Sequence, residues 1–219
     1  MKNIKFIALT TILILLLIVI PTCFAMNNET AFAVSDEDVL SSVDDDVLNA
    51  DYYFDANAQN DDGDGSQDNP YRNLTSNRVK DNSVIHLKDG EYPLNAQVGR
   101  KNITLIGQNP QSTIIKYNNV GFIAESSITL KNLTLVGLSI SDRSNSFINA
   151  TNVIFKDSKV GSISATFSNT KVYLKNCTFL NCSATSGGAV SITGGSLEIV
   201  DSLFMNNYAE RYGGAIYLR

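Results

Sequence analysis

The chain has no tryptophan, a single histidine, three cysteines and four prolines in 219 residues, and only 18% of them are charged. With one histidine and no second Cys or His pair at ligand spacing, the usual zinc frameworks are ruled out. No Lys or Arg occurs between Lys5 and Arg72, while thirteen of the 22 acidic residues fall between Glu29 and Asp68. From Arg72 onward 15 basic residues face 9 acidic ones. The formal charge of −5 therefore belongs to the leading part of the chain, and the rest is mildly basic. No Lys/Arg cluster is present, which argues against a nucleic-acid partner. The repeated part of the chain also lacks an apolar pattern at i, i+3 and i+4, which argues against helices there.

What is abundant is Asn, Ser, Thr and β-branched residues, a mixture that favours strands and polar turns. At the N-terminus, Lys2 and Lys5 precede an apolar run from Phe6 to Ile20, then Pro21 and Cys23-Phe24-Ala25. This is the layout of a secretory signal peptide, residues 1–25, cleaved after Ala25. The alternatives are an uncleaved signal anchor and, more weakly, a lipoprotein at Cys23. Residues 26–51 read as a flexible acidic linker, because Asp36-Glu37-Asp38 and Asp44-Asp45-Asp46 repel and disfavour a core. The ordered domain is expected over 52–219.

Self-similarity carries the fold assignment. Lys101-Asn102-Ile103-Thr104-Leu105, Lys131-Asn132-Leu133-Thr134-Leu135, Thr151-Asn152-Val153-Ile154-Phe155, Lys175-Asn176-Cys177-Thr178-Phe179 and Val200-Asp201-Ser202-Leu203-Phe204 align, with anchors 30, 20, 24 and 25 residues apart. In the last two units Gly187-Gly188-Ala189-Val190 also matches Gly213-Gly214-Ala215-Ile216. Short alternating strands separated by Asn, Asp and Gly turns wind into coils, and a single coil cannot bury its own apolar face. The expected fold is therefore all-β, a right-handed parallel β-helix. Leu135, Phe155, Phe179 and Phe204 should form an internal ladder. Asn102, Asn132, Asn152 and Asn176 should share one turn column, and Gly187-Gly188 and Gly213-Gly214 should make a second tight turn. A barrel or sandwich would instead show hairpin signals at short regular spacing.

Phe204-Met205-Asn206-Asn207 followed by Gly213-Gly214-Ala215-Ile216 resembles the paired FxxN and GGA[ILV] repeats of chlamydial polymorphic outer-membrane proteins. Asp62-Gly63-Asp64-Gly65-Ser66-Gln67-Asp68-Asn69-Pro70-Tyr71 and Val84-Ile85-His86-Leu87-Lys88-Asp89-Gly90-Glu91-Tyr92 are similar to the openings of pectin-lyase-like β-helices. The whole, over roughly 52–219, resembles the adhesin-like surface proteins of methanogens. The pattern departs at Cys182, which stands where the FxxN motif has Asn. The resemblance implies a secreted or cell-surface protein, in the outer membrane if the source is Gram-negative, that binds a surface or glycan ligand without turnover. The alternative within the same fold is a polysaccharide lyase or glycoside hydrolase.

The search for chemistry in the sequence yields no catalytic, cofactor-binding or metal residue. A hydrolase of this kind needs two carboxylates about 5 to 9.5 Å apart. The repeat alignment puts Asp157 in the column of Asn181 and Asn206, and Asp201 in that of Asn132, Asn152 and Asn176, so neither has an acidic neighbour in its column. Arg143, Lys156 and Lys171 could supply a lyase base but no clustered acids accompany them, and they read as solvated. His86 should point opposite Ile85 and Leu87 and read as an ordinary surface residue. Asn60 to Gly65 partly fits a calcium loop but has Asn at the first position and Tyr71 at the twelfth, so a turn capping the first coil is the simpler account. Cys177 and Cys182 could pair in an oxidising compartment, or at least one is a small buried apolar side chain. Seven Asn-x-Ser/Thr sequons occur, at Asn28, Asn73, Asn102, Asn132, Asn149, Asn176 and Asn181, and several coincide with the repeat's own turn. The expected partners, besides a ligand, are further β-helix coils or a second copy at the C-terminal end, because no polar capping coil follows Tyr217-Leu218-Arg219 and the chain reads as C-terminally truncated.

Overall fold

A computed structural model describes residues 50–94 and 96–219; the signal peptide and nearly all of the acidic linker lie outside the described residues. Among the described residues there are seventeen strands and no helix. The strands pair in parallel, each with its counterpart one coil away, which is the signature of a β-solenoid. Three faces run along it. The first holds β1 (Ala50–Phe54), β2 (Ser83–Leu87), β5 (Ile103–Gly107), the opening of β7 (Ser127–Asp142) and of β8 (Phe147–Lys156), β10 (Lys171–Lys175) and β14 (Ser196–Val200). The second holds β3 (Gly90–Pro93), the start of β6 (Thr113–Ala124), the middle of β7, the end of β8, β11 (Thr178–Leu180) and β15 (Leu203–Met205). The third holds β4 (Val98–Arg100), the ends of β6 and β7, β9 (Ile163–Ala165), β13 (Val190–Ile192) and β17 (Ile216–Leu218). Six coils stack in this way, with β1 laid on the first.

The core follows from alternation. In β2 and β5 buried and half-buried residues alternate strictly, so every second side chain enters the lumen. Down the first face this gives buried columns such as Ile85, Leu105, Leu130, Ala150 and Leu174, each next to its counterpart in the following coil. On the second face the expected ladder is present. Leu135 pairs with Phe155, and the rings of Phe155, Phe179 and Phe204 stack at 4.6 and 4.7 Å, within 3° of parallel. Parallel rings at one strand spacing arise because equivalent residues in successive coils share one backbone orientation.

The turn columns correct one expectation. Asn82, Asn102, Asn132, Asn152, Asn176 and Asp201 all have positive φ, as corner residues should. They form two columns rather than one. Asn102 donates its amide to Asn82 and accepts from Ser127, ahead of the first face. Asn132, Asn152 and Asn176 form a separate amide chain at the corner between the first and second faces, with bonds of 2.8 and 3.2 Å. The 30-residue spacing from Asn102 to Asn132 is one 25-residue coil plus one five-residue side, since Ile103 pairs with Ile128. The same pentad, an Asn corner followed by a strand, is used at two different corners.

The N-terminal end of the core is covered by the segment between β1 and β2. Leu74 and Val79 are fully buried, and Tyr71 packs on Phe54 and beneath the guanidinium of Arg78. Arg100 fastens this segment by donating to the carbonyls of Val79, Ser76 and Gly99.

Candidate functional site

The residues singled out for possible chemistry are dispersed. Lys171 opens a strand of the first face, Lys156 ends one on the second, and Arg143 follows the third, so the coil carries them on different sides. Arg143 meets Glu125 at 3.2 Å. The neighbouring Asp142 carboxylate is occupied by the backbone N–H groups of Thr166 and Phe167 and the hydroxyls of Thr166 and Thr170. Asp157 lies in the column of Asn181, whose amide donates to it, and Asp201 in that of Asn176. His86 points outward, stacks on Tyr53 at 4.6 Å and lies 2.9 Å from Asp51.

In the Asp/Gly-rich segment, Asp61 accepts from the backbone N–H groups of Arg72 and Asn73, from the Asn73 amide and from Arg78. Partial burial works against its charge, but the bonds from Arg78 and Asn73 outweigh it and hold the carboxyl down at about 2. Asp64 accepts from Ser66, two residues on, as an Asx turn does. No group of three or more His, Cys, Asp or Glu is gathered at metal-binding distance among the described residues.

Cys177 and Cys182 are free thiols, both buried. Burial pushes the Cys177 thiol up to about 11, which removes its nucleophilic form at ordinary pH. The two cysteines occupy inner-corner positions that elsewhere hold hydrogen-bonding side chains. One coil later, Ser202 accepts from the Cys177 N–H. Asn207 accepts from the Cys182 N–H at 2.9 Å and donates to the Phe179 carbonyl at 3.0 Å. Asn207 is the Asn of the FxxN pattern, so that motif is a clamp between coils. In the coil before it, Cys182 reaches the equivalent carbonyl of Phe155, at 3.8 Å, and contacts Ser162 at 3.0 Å. A thiol can thus stand in for the amide, which accounts for the departure at this position.

Four of the sequon side chains are committed to the fold as well. The amide nitrogens of Asn73, Asn102, Asn176 and Asn181 donate to Asp61, Asn82, Asn152 and Asp157, and Asn28 lies outside the described residues.

One feature was not legible in the sequence. After the corner residues Asn181 and Asn206 the last two coils each carry an extra strand, β12 (Ser183–Ser186) and β16 (Tyr208–Tyr212), which pair into a separate two-stranded ribbon. The Gly-Gly pairs return the chain from this ribbon to the third face. Gly187 and Gly213 have φ near +60°, and a Cβ on Gly188 would lie 2.3 Å from the Tyr208 carbonyl and 2.4 Å from that of Gly214. In the fourth coil the connection from Asp157 to β9 has no such strand. Ribbon, third face and this shorter connection enclose an open cleft of about 500 Å3. Its lining includes Ser164 and Ser191, register partners on the third face, Thr185, Tyr208 and Glu210 from the ribbon, and Lys159 from the shorter connection.

Comparison with known proteins places this architecture beside one family. Residues 201–219 match the Chlamydia polymorphic membrane protein repeat. The match spans β15, the ribbon strand β16, the glycine turn and β17. No curated protein and no solved structure matches the chain.

Proposed function

We propose that this chain is an exported, cell-surface adhesin-like protein whose β-helix presents binding surface and catalyses no reaction. The observation that carries this reading is the last coil. There the match to the polymorphic-membrane-protein repeat takes in stacked Phe204, clamping Asn207, the ribbon strand and the glycine return. The dispersal of Arg143, Lys156 and Lys171 and the separate columns of Asp157 and Asp201 support binding over polysaccharide cleavage.

Two measurements test the reading. Antibody to the β-helix should label intact source cells, and protease added outside should remove the label. Incubation of the protein with neutral and acidic polysaccharides, with and without calcium, should yield no new reducing ends or unsaturated products. Turnover abolished by Arg143→Ala or Lys171→Ala would replace this reading with that of a lyase. A purely intracellular location would end it altogether.

A further inference from the structure

We infer that the cleft under the β12–β16 ribbon is a binding site for an uncharged oligosaccharide, an inference that rests on the binding-module reading above and gives it a location and a ligand class. The starting observation is the composition of the cleft's lining, hydroxyl side chains beside one exposed tyrosine ring, one lysine and one glutamate. In the cleft, the side chains of Ser164, Thr185, Ser191, Tyr208, Lys159 and Glu210 make no hydrogen bond or ion pair with the described residues. Hydroxyl-bearing residues, Ser164, Thr185, Ser191 and Tyr208 among them, thus line one space with hydrogen-bonding capacity left unused among the described residues.

That set matches a saccharide. Each sugar hydroxyl also donates and accepts, so a row of Ser, Thr and Tyr hydroxyls can follow it in either sense. The Tyr208 ring, 63% exposed, gives an apolar plane with a polar tip against which the C–H face of a pyranose can lie. Ala184 and Val160 supply small apolar contacts at the same cleft. The charge is balanced, one Lys159 against one Glu210, so an acidic chain gains from one and is repelled by the other, while a neutral one accepts hydrogen bonds from the ammonium and donates to the carboxylate. A nucleic-acid strand would need basic excess, which the cleft lacks. The volume lies within the range of small-molecule sites.

The fold explains why a site should form here. The ribbon exists only because β12 and β16 leave the coil after an Asn corner and return through a glycine turn, and its two strands brace each other. The same residues that make the repeat thus make the wall of the cleft.

The test is titration of the 219-residue chain with neutral oligosaccharides of glucose, mannose, galactose and N-acetylglucosamine, and with an oligogalacturonate as the acidic arm, by calorimetry. At least one neutral oligosaccharide should bind saturably. Tyr208→Ala and Glu210→Gln should each weaken it tenfold or more with the melting temperature unchanged, and Tyr173→Ala, on the outer side of the first face, should leave it within twofold. Binding that survives both cleft substitutions, or binding of the acidic chain alone, would overturn the assignment. So would failure of every neutral sugar. In that last case surface labelling and saturable attachment to cells would still uphold the broader reading, so the two can fail separately.

Discussion

At the scale of single residues, the corners set the conditions under which the coil can close. Asn152 has φ of 55°, donates to Asn132 and accepts from Asn176. Its short amide does two jobs: it tolerates a left-handed backbone and bonds to the coils on either side. The two separate on substitution. Asn152→Gly keeps the backbone and loses the amide bonds, each worth about 0.5–1.5 kcal/mol. Asn152→Ala loses the same bonds and adds about 1–2 kcal/mol for a left-handed Cβ. Urea unfolding should therefore rank the alanine variant below the glycine variant, and both below the parent. Equal stabilities for the two variants would mean that the backbone contributes nothing at this corner.

At the scale of elements, the second face shows how stacking converts a weak strand into a stable one. β11 is only three residues long, yet Phe179 is fully buried between the rings of Phe155 and Phe204. Phe179→Ala removes a ring with stacking partners on both sides and should cost about 3–5 kcal/mol. Phe204→Ala removes a half-buried ring with one such partner and should cost clearly less, again by urea unfolding. A cost under about 0.5 kcal/mol for Phe179→Ala would place that ring outside the core. The ladder was legible in the sequence because Phe155, Phe179 and Phe204 recur at the coil period with the same flanking pentad. Asn102 was misplaced for the converse reason: the pentad recurs at two corners, and periodicity cannot distinguish a corner from a coil. The ribbon was not legible, because β12 and β16 show little alternation and, as strands, pair only with each other. Nor was the cleft, whose residues come together only when the third face and the ribbon are superposed. The pairing of Cys177 with Cys182 was left open by sequence; their separate inner corners, each reaching a backbone carbonyl of the preceding coil, resolve it.

For the whole molecule, the two ends of the stack differ in kind. The first coil is sealed by Leu74, Val79 and Tyr71 and laced by Arg100. On the sixth coil, β14, β15 and β17 each pair with a strand on one side only, and Leu203, Met205 and Leu218 are exposed. Unpaired backbone groups beside apolar side chains form a template on which another strand can add. The sixth coil of a second copy carries the same unpaired strands, so two copies can meet edge to edge. The 219-residue chain should accordingly self-associate in a concentration-dependent way when followed by light scattering. Met205→Lys together with Leu218→Lys should suppress this, since charge on an edge opposes addition while leaving the intracoil bonds intact. A chain that stays monomeric at high concentration, with a melting temperature unmoved by a designed polar coil placed after Arg219, would show that the sixth coil closes its own edge.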